Sequence, residues 1–487
     1  MMRLTDVAQV PATLRPAYDR AAHGVGIVHL GLGAFHKAHQ AALTDLAIAA
    51  SGGDWRILGV SLRSPKACDQ LAPQNGLYTL ISKGAEGVNA RVIGAIADAI
   101  CSAEDPEPAL AAMAAPATKI VSLTVTEKAY GLDRVNRGCD ITHPAVAADL
   151  ATPRTPHGVL GLLVEALRRR RADNVAPFSV LSCDNLPDNG QLLRGAVMDF
   201  ARRLDRDLAS WIAENVAFPC TMVDRITPPA TQATLDHAQA LTGCTDLAAT
   251  ETESFCQWVI EDHFPQGRPD WAAAGVIFTD EVATFEAMKL RMLNGSHSML
   301  AYAGFHAGAR FVRDVMAHQR LSRLVRRHLS SAAATLPAMN GINLDDYAQA
   351  LATRFANPEL AHETFQIAMD GSEKMPQRIF AAVADARTND VDIRPFAFAT
   401  AAWARHISMS THDCAPYELR DPRADMLRDL AENRPASQIV ANLRATSILP
   451  QGLGGDSAFW SQVEVILADM LAHPMENVIA REAADLP

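Results

Sequence analysis

Along the first half of the chain, short runs of β-branched and apolar residues alternate with longer Ala- and Leu-rich stretches. The runs are Gly26–Leu30 (GIVHL), Arg56–Leu62 (RILGVSL), Lys119–Thr126 (KIVSLTVT) and Phe178–Ser182 (FSVLS). Each is of strand length, and the segments between them read as helical. Strands alternating with helices predict a parallel sheet covered on both faces. Two more runs, Ala217–Pro228 and Gly275–Val282, follow. Beyond Thr284 the strand pattern nearly vanishes: RFVRDVMAHQRLSRLVRRHL, LDDYAQALATRFA and DSAFWSQVEVILADMLAHP all carry helical spacing. The pattern predicts an α/β domain over residues 1–280 and a mainly α-helical domain over residues 281–487, with no internal repeat. A chain of 487 residues is long enough for more than one core.

One helical stretch is out of keeping with its neighbours. Ala287–Tyr302 reads AMKLRMLNGSHSMLAY, apolar at almost every turn, yet it carries Lys289, Asn294 and His297. At about 100° per residue, Asn294 falls roughly 140° and His297 roughly 80° round from Lys289. Leu290, Leu293 and Leu300 lie in or beside that arc, so the polar residues share a face that should be buried. Singly they read as a snorkelling lysine, a surface asparagine and a satisfied core histidine. Together, with Gly295 breaking the side-chain wall, they read as a site, and burial is expected to lower the lysine's pKa.

A second stretch, GIVHLGLGAFHKAHQAALTDLAI, places Gly31-Leu32-Gly33 between a strand and a helix. The first glycine permits a tight turn, and the second lets backbone N–H groups approach a pyrophosphate at a helix N-terminus. A Rossmann-like dinucleotide-binding domain is therefore expected, although His36 stands where the usual third glycine would be. His36 and His39 are three apart, but no further ligand with suitable spacing follows, so no metal is expected. The second strand runs out through Ser61 and Arg63 with no acidic residue for the ribose hydroxyls. The choice between NAD and NADP stays open on chemistry alone.

Composition narrows the class. With 49% hydrophobic and 20% charged residues the chain resembles an ordinary globular enzyme, and a net charge of −11 argues against nucleic acid as a partner. The basic run Arg168–Arg171 closes an amphipathic helix and complements its dipole. No apolar run is long enough for a membrane span, and the N-terminus lacks the apolar core of a secretory signal. Eight scattered cysteines, Cys414 the last, include no C-x-x-C pair. Free thiols in a reducing cytoplasm are expected.

Several segments then occur in a fixed order: the loop Gly31–Gln40, TVTEKAYG (Thr124–Gly131), SCDNLPDNG (Ser182–Gly190), FPCTMVDRITP (Phe218–Pro228), QWVIEDHFPQGRPDW (Gln257–Trp271) and KLRMLNGSHS (Lys289–Ser298). Together the set resembles the polyol-specific long-chain dehydrogenases, the mannitol dehydrogenase family, over most of the chain. The resemblance implies an NAD-dependent, metal-independent oxidoreductase with Lys289 as general acid/base. It implies that Asn294 and Asn185 hold the substrate oxygen, that His297 orients it and that Glu286 relays the proton to solvent. It places Gly31, Gly33, Phe35, Ser61, Arg63, Thr126 and Glu127 at the cofactor, and Asp224 at substrate hydroxyls. These roles suit hydride transfer at a secondary alcohol, which needs a group to move the hydroxyl proton and neutral donors for the developing oxyanion.

Within the family, FQIAMDGSEKMPQR (Phe365–Arg378), KGAE (Lys83–Glu86) and LNGSHS are most similar to fructuronate reductases; mannitol dehydrogenases carry an arginine where this chain has Gln366. The resemblance implies interconversion of D-fructuronate and D-mannonate. Lys374 and Arg378 are candidates for the substrate carboxylate, since arginine suits a two-pronged contact. A mannitol or arabinitol 2-dehydrogenase is the alternative. A catalytically inactive NAD-binding regulator fits less well, because Lys289, Asn294, His297 and Asn185 are all present. The expected partner is a small sugar acid or polyol, and nothing in the sequence argues against a monomer.

Overall fold

The computed structural model describes residues 2–84, 86–134, 136–339, 341–359, 362–409 and 416–484, so Ala85 and Cys414 lie outside the described residues. The chain divides into two compact units, Met1–Ala283 and Thr284–Pro487.

In the first unit five strands form one sheet: β1 (Val25–Leu30), β2 (Arg56–Ser61), β3 (Ile96–Cys101), β4 (Ile120–Leu123) and β5 (Ser179–Ser182). All neighbours are parallel and the order is β3-β2-β1-β4-β5. Successive residues point to opposite faces, and both faces are apolar here. Val28, Val121 and Val180 join one buried cluster, while Ile27, Ile120 and Leu181 join another on the far side. Burial on both faces is why these strands read as continuous apolar runs.

The segment between β2 and β4, expected to be helical, is mixed: the helices Lys66–Leu71 and Glu107–Ala114 flank three strands. It contains β3 and an antiparallel hairpin, Tyr78–Gly84 with Gly87–Ile93. Its alanines favour helix locally, but the β3 run is only six residues long and pairs with β2 from Ile96 to Cys101, with one register shift between Ile57 and Leu58, so tertiary pairing overrides a weak propensity. The later runs do not extend the main sheet. Thr221–Asp224 pairs antiparallel with Gln257–Ile260, which lies parallel to Ile277–Phe278 in a separate three-stranded sheet.

The second unit is helical, with no strand among its described residues beyond isolated bridge positions such as Phe311 with Glu363. Helix Arg394–His406, buried from Pro395 to His406, packs against Gly295–His306 and Ser457–Ala472. No helix among the described residues is long and apolar enough to cross a membrane.

Candidate active site

In the first unit the chain reverses its direction of growth between β1 and β4. The crevice beyond the carboxyl ends of the strands at such a switch is where open parallel sheets take ligands. β1 ends there in Gly31 and Gly33, followed by α1 (Ala34–Ala38) and, after a break at His39, α2 (Gln40–Ser51). The two glycines serve different ends. Gly31 has φ +96°, and a Cβ on it would lie 2.2 Å from the Thr124 carbonyl oxygen. Gly33 is extended at φ −130°, and a Cβ on it would meet nothing nearer than the Gly31 carbonyl oxygen at 3.7 Å. The protein's own packing requires Gly31; at Gly33 it only leaves the approach to the helix start open.

His36, at the third-glycine position, is fully buried and stacks on His29 with ring centroids 3.4 Å apart. His29 bonds Ser122 Oγ and Thr124 Oγ1 through its two ring nitrogens, each at 2.8 Å. Burial pushes His29 down to about 3 and holds His36 well below the usual histidine range. His39 Nε2 meets the Gln257 carbonyl at 3.1 Å, and its ring stacks on Phe35 with centroids 5.0 Å apart. Among the described residues no three His, Cys, Asp or Glu side chains are grouped to hold a metal ion.

The remaining candidates of this unit sit at or just past strand ends. Ser61 closes β2 and donates to the Ser64 carbonyl at 2.6 Å, and Arg63 is exposed in the loop beyond. Thr126 follows β4 at φ +70°, a region that costs a β-branched residue about 1–3 kcal/mol. It is held there by Asp184, which the sequence reading passed over. This carboxylate accepts from Val125 N at 2.8 Å, Thr126 N at 3.2 Å and the Tyr130 hydroxyl at 2.7 Å. Burial raises the Asp184 pKa above the ordinary aspartate value. An acid one residue before Asn185, just past β5, was the available signal. Asn185 itself is exposed, and Glu127 is ion-paired with Arg134 at 2.7 Å. Asp224 is buried at the end of a strand of the smaller sheet.

In the second unit the helix bearing Lys289 is not α-helical throughout. Val282–Met288 and Gly295–His306 are α-helical, but Lys289–Asn294 winds as a π turn, with the Gly295 N–H bonded to the Leu290 carbonyl. The i→i+5 spacing makes Asn294 the residue one turn after Lys289, on the same side. This replaces the roughly 140° separation that a 100° step gives. Lys289 is 7% exposed and His297 6%. Glu286, half-buried, lies one turn before Lys289. Asn294 Oδ1 and His362 Nδ1 are buried with no hydrogen-bond partner.

The His297 ring packs on Phe355 and edge-on to His362, with centroids 4.6 and 5.5 Å away. Burial first, then His362, Arg378, Arg354 and Lys374, hold it well below the usual histidine range. Neither His362 nor Arg354 was singled out from the sequence, since neither lies in a helical pattern with His297. Lys374 Nζ donates to the Met369 carbonyl at 2.6 Å and stands 3.8 Å from Asp370. Arg378 lies on a second π turn, Pro376–Phe380, packed against the first. Gln366 is exposed on the short helix Thr364–Ile367. Lys374 and Arg378 thus act on His297 within one unit, and Lys289 and Asn294 share one turn, whereas Gln366 is exposed.

The mannitol dehydrogenase Rossmann-domain model matches residues 25–273, and the mannitol dehydrogenase C-terminal-domain model matches residues 281–471. An uncharacterized oxidoreductase of Escherichia coli, YeiQ, is 43% identical over 430 residues, 88% of each chain. The D-mannonate oxidoreductase of the same organism is 40% identical, over 91% of this chain and 93% of its own. The structure of Pseudomonas fluorescens mannitol 2-dehydrogenase, a ternary complex with NAD and D-mannitol, superposes with TM-score 0.87 at 34% identity, covering 99% of both chains. Two matched domain models and relatives of this identity along most of its length show that the chain belongs to the mannitol dehydrogenase family of oxidoreductases.

Proposed function

We propose that the protein interconverts D-fructuronate and D-mannonate with NAD(H), the first unit holding the dinucleotide and the second supplying the proton-moving lysine and the cations for the sugar acid. The observation that carries the substrate is the charge around His297. After burial and His362, the side chains acting on this ring are the cations Arg378, Arg354 and Lys374, and a carboxylate entering these surroundings gains what a neutral hexitol cannot. The likeness to the D-mannonate oxidoreductase supports the same substrate, and the likeness to a mannitol 2-dehydrogenase crystallised with NAD supports the cofactor. The residues at the end of β1 fit a dinucleotide: the open face at Gly33 admits a pyrophosphate to the helix start, which a Cβ would crowd.

The nicotinamide, when bound, supplies or takes the hydride. Lys289 gives a proton to the oxygen of the carbonyl being reduced, and takes it back in the oxidation. The Asn294 carboxamide, one turn on, holds that oxygen. Its Nδ2–H donates to that oxygen, while its buried, unpartnered Oδ1 costs about 1–3 kcal/mol until a substrate hydroxyl donates to it. Asn185 takes the same role by resemblance. His297, kept neutral by burial and nearby cations, bonds a substrate hydroxyl without adding a fixed charge, and Glu286 passes the proton toward solvent. Asp224 serves the remaining hydroxyls.

NADH-dependent reduction of fructuronate, tagaturonate and fructose, measured side by side, tests this reading. The uronates should be preferred. If fructose has the higher kcat/KM, the protein is a mannitol-type 2-dehydrogenase.

A further inference from the structure

We propose that Arg378 is a positioning residue that fixes the π turn carrying Lys289 and Asn294, and that the substrate carboxylate is met by other cations around His297. The inference rests on the reading of Lys289 and Asn294 as groups that touch the substrate.

Arg378 brackets a single peptide, Asn294–Gly295, from two sides. Its Nη1 donates to the Asn294 carbonyl at 3.4 Å and to Ser298 Oγ at 3.3 Å. Its own carbonyl oxygen lies where a Cβ on Gly295 would approach to 2.8 Å. The two π turns therefore meet backbone to backbone at Gly295, and the arginine ties one to the other. Both hydrogen bonds are long, so little stability hangs on them. What they set is the place of Asn294 at the end of a turn wound more loosely than an α-helix. Both bonds leave one nitrogen, Nη1, and lysine cannot substitute because its shorter side chain ends its ammonium short of that position.

The test compares Arg378→Met and Arg378→Lys with wild type, using fructuronate and fructose as substrates, with thermal midpoints and NADH affinity as controls. The expected result is a fall in kcat of about 10²-fold for both substrates, the effect of misplacing a reacting group by roughly 1 Å. KM for fructuronate should change by no more than about threefold, the pH midpoint of kcat should move, and lysine should not rescue. Should Arg378→Met not fold, Arg378→Lys carries the same comparison. A rise in KM confined to fructuronate, with kcat kept and lysine restoring it, would overturn the proposal and return Arg378 to the carboxylate. Lys289→Ala, run alongside, separates the two levels. If it stays active, the site assignment itself has failed. If it is inactive while Arg378→Met shows the selective KM effect, only the positioning role has failed.

Discussion

Replacing Gly33 by alanine should leave the fold intact and weaken NADH binding, whereas the same change at Gly31 should damage the fold. At Gly31 the new Cβ would stand 2.2 Å from the Thr124 carbonyl oxygen, at φ +96°. The backbone conformation costs an L-residue about 1–2 kcal/mol, and relieving the overlap costs about 1–3 kcal/mol more, as in other overpacked sites. A total of roughly 2–5 kcal/mol lowers the thermal midpoint by roughly 5–20 °C for a domain of this size. At Gly33, φ is −130° and the nearest atom is 3.7 Å from the Cβ position. Alanine is unstrained there and stabilises by about 0.4–1 kcal/mol through the unfolded chain. The same methyl projects into the approach to the helix start, and a tenfold loss of NADH affinity, about 1.4 kcal/mol, is the least expected. Thermal melts and NADH fluorescence titrations of both variants provide the test. Wild-type affinity in Gly33→Ala would refute the pyrophosphate reading, and an unchanged midpoint in Gly31→Ala would refute the steric one.

Lys37, buried with its Nζ on the Ala248 carbonyl at 2.6 Å, is pushed down by burial from an ordinary 10.5 to about 8. Between those pH values the unfolded chain binds more protons, so stability should rise with pH by ~3 kcal/mol across that window. The difference between wild-type and Lys37→Met denaturation curves should show this rise. Asp184→Asn should lower stability by about 1–3 kcal/mol, as a donor to the buried carboxylate loses its acceptor. It should also weaken NADH binding by releasing Thr126, and a titration that finds wild-type affinity refutes that link. Lys289→Ala should lower kcat by at least about 10²-fold in both directions with NADH affinity kept. Wild-type pH–rate profiles should rise with pH for mannonate oxidation and fall for fructuronate reduction, and the variant should lose both slopes.

Much of this was legible in the chain because it depends on local pattern. A double-sided apolar run before Gly31-Leu32-Gly33 gives a central parallel strand and the tight turn that follows it without further information. Lys289, Asn294 and His297 stand out because three polar residues on one apolar helix need a reason to be there. The π turn was not legible, since reading a helix at a constant step assumes the α bonding that Lys289–Asn294 departs from. β3 was hidden by its alanines, whose preference is overruled by pairing with β2. Asp184 bonds backbone 58 and 59 positions earlier, and Arg378 reaches Asn294 across 84. Contacts at such separations leave no periodicity to read.

The most direct measurement of the central claim, that cations around His297 select an anionic substrate, is the ratio of kcat/KM for fructuronate to that for fructose in wild type and in Lys374→Met. Wild type should favour fructuronate by about 10²-fold, and losing one close cation, worth roughly 1.4 kcal/mol or more, should reduce that ratio at least about tenfold. A ratio unchanged by the substitution, or a wild type that prefers fructose, would contradict it.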